Sequence, residues 1–216
     1  MAGQGYSLPP RFPIFPLRGC LLLPGGNLPL NIFEPRYLAM VRDAMQTDRA
    51  IGMIQPKQDD TRGPAPELFR TGCLGRISNF SETDDGRYLI TLSGLCRFDI
   101  AQELATTTAY RQVQGDFTRW RKDLQPVSPP VSMKGELLSV LRPYFAKHGI
   151  EADWSTLQDA PMAALVTSLA MICPFGPGEK QALVEASDLP RQGRLLIALM
   201  QMETAPTPGA DSTLRH

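Results

Sequence analysis

Apolar and polar positions follow a strand pattern in the first half of the chain. Residues 12–17 alternate apolar side chains with two prolines, which is typical of an extended edge segment. Residues 28–33 follow a Pro-Gly-Gly-Asn turn and are again extended. Short strands are also predicted over 50–55 and 110–117. One helix is predicted in this half, where Pro35 opens a run with apolar residues at helical spacing.

The strongest local signal is a β-hairpin. Runs of strand-forming residues at 72–83 and 87–100 flank the sequence Asp84-Asp85-Gly86, which favours a tight turn. Gly94 interrupts the second run and predicts a bulge or a bend of a barrel. The first half therefore predicts a small, strongly curved sheet that holds one helix.

A helical pattern dominates the second half. Four helices are predicted over residues 133–148, 162–172, 179–185 and 188–202. Pro143 is expected to kink or break the first of them, and Asp159 is the expected cap of the second. Strands followed by helices predict the α+β class. The expected parts are a β-rich subdomain over 10–118, a proline-rich connector over 119–131, a helical bundle over 132–203 and a disordered tail over 204–216.

Charge and composition exclude several classes of partner. The 216 residues carry 22 basic and 22 acidic side chains, so the net charge is zero. This balance argues against a nucleic-acid binder and against a polybasic membrane surface. The sequence shows neither a cationic leader nor an apolar run long enough to span a membrane. We therefore expect a soluble, cytoplasmic protein.

Candidate catalytic and metal-binding residues are sparse. The cysteines are too far apart for a zinc knuckle or a redox pair and are expected to be buried apolar residues: Cys20, Cys73, Cys96 and Cys173. The patterns GxSxG, HExxH and GxxxxGK[ST] do not occur. No catalytic residue, metal or cofactor is predicted.

Polar side chains beside an aromatic ring mark the start of the predicted first helix. These residues are Glu34, Arg36 and Tyr37, and two interpretations of them are open. They form either a helix-start ion pair with an aromatic anchor or the lip of a binding groove.

Several segments together resemble a known family. Residues 12–17 (FPIFPL) and 23–37 (LPGGNLPLNIFEPRY) closely resemble the opening of the Lon protease N-terminal domain, and most of all its free-standing bacterial relatives. Residues 68–77 and 94–98 (GLCRF) resemble later strands. The last two helices are resembled by residues 179–185, 188–190 and 194–196. The resemblance spans about residues 10 to 203.

This resemblance implies a fold and a role. The expected fold is a PUA-like β-pseudobarrel with one helix, followed by a C-terminal helical bundle. In full-length Lon this domain recognises substrate polypeptides, and the ATPase and Ser–Lys peptidase lie downstream. The sequence ends at residue 216 without the ATPase motifs or the peptidase domain, so a non-catalytic protein- or peptide-binding module is expected, with an adaptor or chaperone-like role.

The expected partner is an unfolded or apolar-rich polypeptide, or one specific protein, and neither nucleic acid nor a membrane. Two alternatives remain open: an RNA-binding protein of PUA-like architecture and a small-molecule enzyme with an unrecognised site. The candidate peptide-binding residues are Phe33, Arg36, Tyr37 and Arg97. The remaining matched motif residues are expected to maintain the fold: Pro16, Leu17, Pro24, Gly25, Leu28, Pro29, Glu34, Gly72 and Gly94.

Overall fold

A computed structural model describes residues 8–57, 66–125 and 132–205. Residues 126–131 of the predicted connector and 206–216 of the predicted tail lie outside this description. Contacts divide the described residues into two compact units. Unit 1 contains the described residues up to 125 together with 167–185, and unit 2 contains 132–166 together with 186–205. The units are therefore interleaved along the chain, whereas the sequence predicted consecutive domains.

Unit 1 is built on a six-stranded sheet with one helix between its second and third strands. The strands are β1 (Arg11–Pro16), β2 (Asn27–Ile32), β3 (Ala50–Ile54), β4 (Thr71–Glu82), β5 (Tyr88–Leu104) and β6 (Gln112–Asp116). Helix α1 (Pro35–Met45) follows β2, and a 3-10 helix (Thr118–Leu124) follows β6. The predicted α+β class is confirmed.

The sheet closes on itself because β5 is long enough to pair at both ends. Its strand order is β2-β5-β4-β3-β1-β6, with an additional pairing between β5 and β6. The first part of β5 pairs with β2 and its last part with β6. Strands β1, β3, β4, β5 and β6 therefore form a closed ring, and β2 extends the sheet outside the ring. One core fills the ring, and a second lies between α1 and the sheet.

The predicted edge position of β1 is wrong, because β1 lies between β3 and β6. Its first three residues pair with β6 and its last three with β3. The Ile14 amide donates toward β6 and the Leu17 amide toward β3. The backbone nitrogens of adjacent residues point alternately toward β6 and β3. The Pro13 nitrogen therefore faces β3 and the Pro16 nitrogen faces β6, and at these positions the neighbouring strand has no residue paired with them. Each proline is accommodated without loss of a ladder hydrogen bond.

The predicted hairpin and bulge are confirmed. The Thr83 amide donates to the Arg87 carbonyl across the turn, and Gly86 has a φ of 78°. Beside Gly94 the register shifts, since Leu74 pairs with Cys96 but Gly75 pairs with Gly94. A Cβ on Gly94 would lie 2.0 Å from a backbone oxygen. Glycine is required here because the loop before β2 passes directly over the bulge.

The second half of the chain contains five α-helices within its described residues: α2 (Ser132–His148), α3 (Trp154–Asp159), α4 (Met162–Ile172), α5 (Pro177–Glu185) and α6 (Leu189–Thr204). Pro143 does not break α2, because buried side chains on both sides of it hold the helix. Asp159 is the last residue of α3 and not the cap of α4. The sequence missed α3, although Asp153 caps it by accepting from the Ser155 and Thr156 amides.

Burial agrees with the predicted role of the cysteines. Cys73, Cys96 and Cys173 are buried, and Cys20 is half-buried. None of the helices within the described ranges is long and apolar enough to cross a membrane.

Candidate functional site

A groove of about 510 Å³ opens on unit 1, and we call it the Tyr37 groove. It lies where β2 meets α1, opposite the end of β1 and the segment before β6. Its lining residues are Phe15, Pro16, Leu17, Arg18, Leu30, Asn31, Ile32, Phe33, Glu34, Arg36, Tyr37, Pro56, Pro66, Ala109, Tyr110 and Arg111.

Aromatic rings form the floor and one wall of the groove. The rings of Phe15 and Tyr37 pack with centroids 4.3 Å apart, and both residues are buried. Phe33 is 62% exposed, although it is a large apolar residue. It follows the last residue of β2, and Glu34 is still extended before Pro35 starts the helix. The chain turns at this junction and leaves the Phe33 ring on the surface.

Three arginines and one glutamate contribute the charges that line the groove. Arg36 lies over the Tyr37 ring and forms an exposed ion pair of 2.8 Å with Glu34. Arg111 binds both carboxylate oxygens of Glu103 at 2.6 and 2.7 Å and also donates to the Pro66 carbonyl. Bidentate pairing fixes the Arg111 guanidinium, whereas an exposed pair such as Arg36–Glu34 contributes little stability and rearranges easily.

The two tyrosines of the groove remain neutral near pH 7. Burial raises the pKa of Tyr37, against an opposing effect of Arg36. Burial and a hydrogen bond of 2.6 Å to the Asp43 carboxylate raise the pKa of Tyr110 to about 12. The described lining residues include no histidine, cysteine, serine or lysine. The floor of the groove is therefore apolar and uncharged near pH 7.

The structure brings together three of the four candidate binding residues. Phe33, Arg36 and Tyr37 all line the Tyr37 groove, and the expected ion pair between Arg36 and Glu34 is present at the helix start. Arg97 is elsewhere and is 5% exposed. Its guanidinium binds both carboxylate oxygens of Asp123, at 2.8 and 2.6 Å.

Further contacts of Arg97 are also internal. The guanidinium donates to the Val184 carbonyl of α5 at 2.9 Å and stacks on the Trp120 ring at 4.0 Å. Arg97 thus connects β5, the 3-10 helix and α5 within unit 1. Its geometry supports a structural role, in contrast to the binding role that the sequence suggested.

Some of the residues that match the family motif line the groove, and others shape the backbone near it. Pro16, Leu17 and Glu34 line the groove directly. Others shape the chain near β2 and the bulge: Leu28 and Pro29 lie in β2, Gly25 has a φ of 76°, Pro24 precedes it, and Gly72 packs against β3 with no room for a Cβ.

Sequence reasoning missed the part of the groove that comes from distant segments. Phe15 stands in the 12–17 pattern only as one apolar residue of an extended segment. Tyr110 and Arg111 precede β6 and reach the groove only because the ring closes. No local pattern marks them as groove residues, since apart from the adjacent Ala109 the lining residue nearest in sequence is Pro66, more than forty positions earlier.

A second groove, of about 540 Å³, lies on the other face of the β2–β5–β4 segment, and we call it the Leu89 groove. It is lined by Pro29, Leu30, Asn31, Asn79, Phe80, Ser81, Leu89, Ile90 and Thr91. Leu30 and Asn31 line both grooves, so β2 separates one from the other. Within the parts of the chain that the structure describes, no group of three or more metal-ligating side chains is assembled.

Comparison with known proteins places the chain among Lon substrate-binding domains. It is 26% identical over 200 residues to "Lon protease 2" of Myxococcus xanthus, covering 90% of this chain and 24% of that protein. It is 28% identical over 199 residues to "Lon protease" of Parabacteroides distasonis, covering 88% and 24%. The chain spans about a quarter of the length of these relatives.

Two solved structures share the fold. A Lon N-terminal domain protein from Xanthomonas campestris superposes with a TM-score of 0.63 at 23% identity, covering 87% of this chain and 97% of that one. The N-terminal domain of the Mycobacterium avium complex Lon protease gives 0.63 at 14% identity, covering 88% and 98%. The family described as "ATP-dependent protease La (LON) substrate-binding domain" matches residues 11–202. Since this match covers most of the sequence, the chain belongs to the Lon substrate-binding domain family.

Proposed function

We propose that this chain is a non-catalytic recognition module that binds unfolded or apolar-rich polypeptide through the Tyr37 groove. The observation that carries the proposal is the exposed Phe33 ring beside a floor formed by Phe15 and Tyr37. An exposed aromatic residue at the lip of an apolar concavity is typical of a binding surface.

The chemistry of the groove selects for apolar side chains. Its floor is uncharged at pH 7, so transfer of an apolar side chain from water into it is favourable without a paired charge. Unfolded chains expose such side chains, whereas folded proteins bury most of them. The groove therefore distinguishes an unfolded segment from a folded surface without needing a specific sequence.

The family supports this role at the level of substrate recognition. Its description is that of a substrate-binding domain, and the relatives are named Lon proteases. We infer that the chain presents or holds polypeptides in an adaptor or chaperone-like manner. Binding by this mechanism requires no nucleotide, since the groove alone supplies the binding energy.

Binding of fluorescein-labelled casein, a natively unfolded protein, tests the proposal. We expect saturable binding by fluorescence anisotropy without nucleotide. Phe33→Ala should weaken it about tenfold, because one large apolar contact is lost. Phe33 is exposed, so this change should leave the thermal unfolding temperature nearly unchanged.

Leu124→Ala is the matched control. Leu124 is 53% exposed in unit 1 and does not line the groove. It should bind casein as the wild type does. Equal weakening by both substitutions, or no binding by the wild type at high micromolar concentration, would contradict the proposed function.

A further inference from the structure

Strand β2 has a free edge within the described part of the chain. Its only strand partner there is β5, and the sheet order places β2 at the end of the sheet. The Gly94 amide donates to the Gly26 carbonyl at 2.8 Å, which fixes the direction of that carbonyl toward β5. Across a trans peptide the next N–H points the opposite way, so the amide of Asn27 points away from β5.

This alternation continues along the strand. The backbone groups of Leu28, Leu30 and Ile32 point toward β5, and those of Asn27, Pro29 and Asn31 point away from it. Pro29 lacks an N–H, which agrees with its placement on the unpaired side. The free edge therefore presents carbonyls at 27, 29 and 31 but amides only at 27 and 31.

The same edge lies between the two grooves. Side chains of alternate residues of β2 point to opposite faces of the sheet. Burial alternates along β2 in the same way. Leu30 and Ile32 lie on the more buried face, and Ile32 lines only the Tyr37 groove; Pro29 and Asn31 lie on the exposed face, and Pro29 lines only the Leu89 groove. A strand added to this edge would place its own side chains in the two grooves in strict alternation.

We propose that an extended segment of an unfolded polypeptide adds as a strand to the free edge of β2, with alternate side chains in the Tyr37 groove and the Leu89 groove. The inference rests on the proposed function and specifies how the polypeptide is held. Backbone hydrogen bonds supply affinity that is independent of sequence, and the grooves supply a pattern preference.

The two grooves determine the chemistry of the preferred segment. The Tyr37 groove takes an aromatic or large apolar side chain, because the Phe15 and Tyr37 rings form its floor. The Leu89 groove combines the exposed apolar side chains of Phe80 and Leu89 with polar residues such as Asn31 and takes both apolar and polar side chains. The bound segment thus alternates aromatic or large apolar residues in the Tyr37 groove with apolar or polar residues in the Leu89 groove.

A pair of substitutions at one position tests the strand addition. Asn31→Pro removes an edge N–H that points away from β5, whereas Asn31→Ala removes only the side chain. With fluorescein-labelled casein as the probe, we expect Asn31→Pro to weaken binding about tenfold relative to Asn31→Ala. The two variants should show the same circular dichroism spectrum.

The outcomes separate this inference from the proposed function. Equal binding by Asn31→Pro and Asn31→Ala, with Phe33→Ala still weakened, would overturn strand addition and leave the proposed function standing. If the wild type fails to bind casein, both are overturned. If the wild type sediments as a dimer that Asn31→Pro converts to a monomer, a second copy occupies the edge and the proposal fails.

A peptide experiment provides an independent test that does not depend on folding of the proline variant. The probe is a labelled peptide of about ten residues, enough to span the edge, in which phenylalanine and serine alternate. N-methylation of either all serine or all phenylalanine amides removes the N–H groups of one set. We expect at least a tenfold loss for one set and little loss for the other, because one set of amides in a strand faces its partner. Equal effects of the two sets would overturn the proposal.

Discussion

Asp123 is the residue on which the arrangement around Arg97 depends. Its carboxylate accepts both guanidinium hydrogen bonds and also a hydrogen bond of 3.0 Å from the Arg97 amide. Both side chains of the pair are almost fully buried. Removing one member leaves an uncompensated charge in the interior, which costs far more than the loss of an exposed pair.

We therefore expect Asp123→Ala to lower the free energy of unfolding by about 3–5 kcal/mol. Urea denaturation followed by circular dichroism measures this change. Glu34→Ala breaks the exposed pair with Arg36 and serves as the control, with an expected effect of at most about 1 kcal/mol. A cost below that of the control would show that Arg97 is not held by this pair.

The sequence could single out Arg97 as a candidate residue but could not show whether its role is structural or in binding. The pattern Gly94-Leu95-Cys96-Arg97-Phe98 shows an arginine next to a buried strand residue, and a binding residue would look the same. Its partners Asp123 and Val184 are 26 and 87 positions away, so the ion pair exists only after the chain has folded. Phe33, Arg36 and Tyr37 are neighbours in the sequence, so their position around one groove could be anticipated from the local pattern.

Helix α2 continues through a residue that normally ends a helix. Pro143 has no N–H to donate to the carbonyl four residues earlier, and its ring crowds that carbonyl. Val140, Leu141, Tyr144 and Phe145 are buried around it, while Pro143 is exposed. Packing on the buried face therefore outweighs the local preference of proline.

Replacing Pro143 with alanine should stabilise the chain by about 1–3 kcal/mol. The change restores one helical hydrogen bond and removes the steric conflict, and the exposed position loses no core contact. Differential scanning calorimetry measures the expected rise in unfolding temperature. Gly135→Ala, in the same helix and with open space around its Cβ, should give a smaller rise of about 0.5–1 kcal/mol. A lower unfolding temperature for Pro143→Ala would mean that the ring makes contacts that the helix needs.

Elements were predicted most reliably where one local signal dominates. The β4–β5 hairpin follows from its Asp-Gly turn, and α1 follows from Pro35 and helical spacing. The identity of the edge strand could not be predicted, because β1 is enclosed only when β6 pairs with both β1 and β5. That closure depends on the length of β5, which local patterns underestimated by ending the strand at residue 100.

At the scale of the molecule, α5 completes a unit whose strands precede it by many residues. Its Gln181 side chain donates to the Thr71 carbonyl at 3.1 Å, and Lys180 donates to the Gly19 carbonyl at 2.7 Å. Leu183 and Val184 are buried. The sheet therefore depends on a segment that the sequence assigned to the helical bundle.

A fragment of residues 1–127 should consequently fail to unfold cooperatively. Removing α5 exposes apolar surface and leaves Gln55 and Arg97 without partners that α5 supplies. The same fragment joined to residues 167–185 by a glycine-serine linker of about 20 residues should recover a cooperative transition in urea. A cooperative transition of the shorter fragment alone would show that the strands fold independently of α5.

The interleaving of the units has a consequence for synthesis of the chain on the ribosome. The strands of unit 1 leave the ribosome first, but α5 follows only after the first segment of unit 2 has been made. At about 5–20 residues per second, translation from residue 125 to residue 185 takes about 3 to 12 seconds. During this interval the nascent strands expose the surface that α5 later covers. The chain thus passes through a period in which its own apolar surface requires protection.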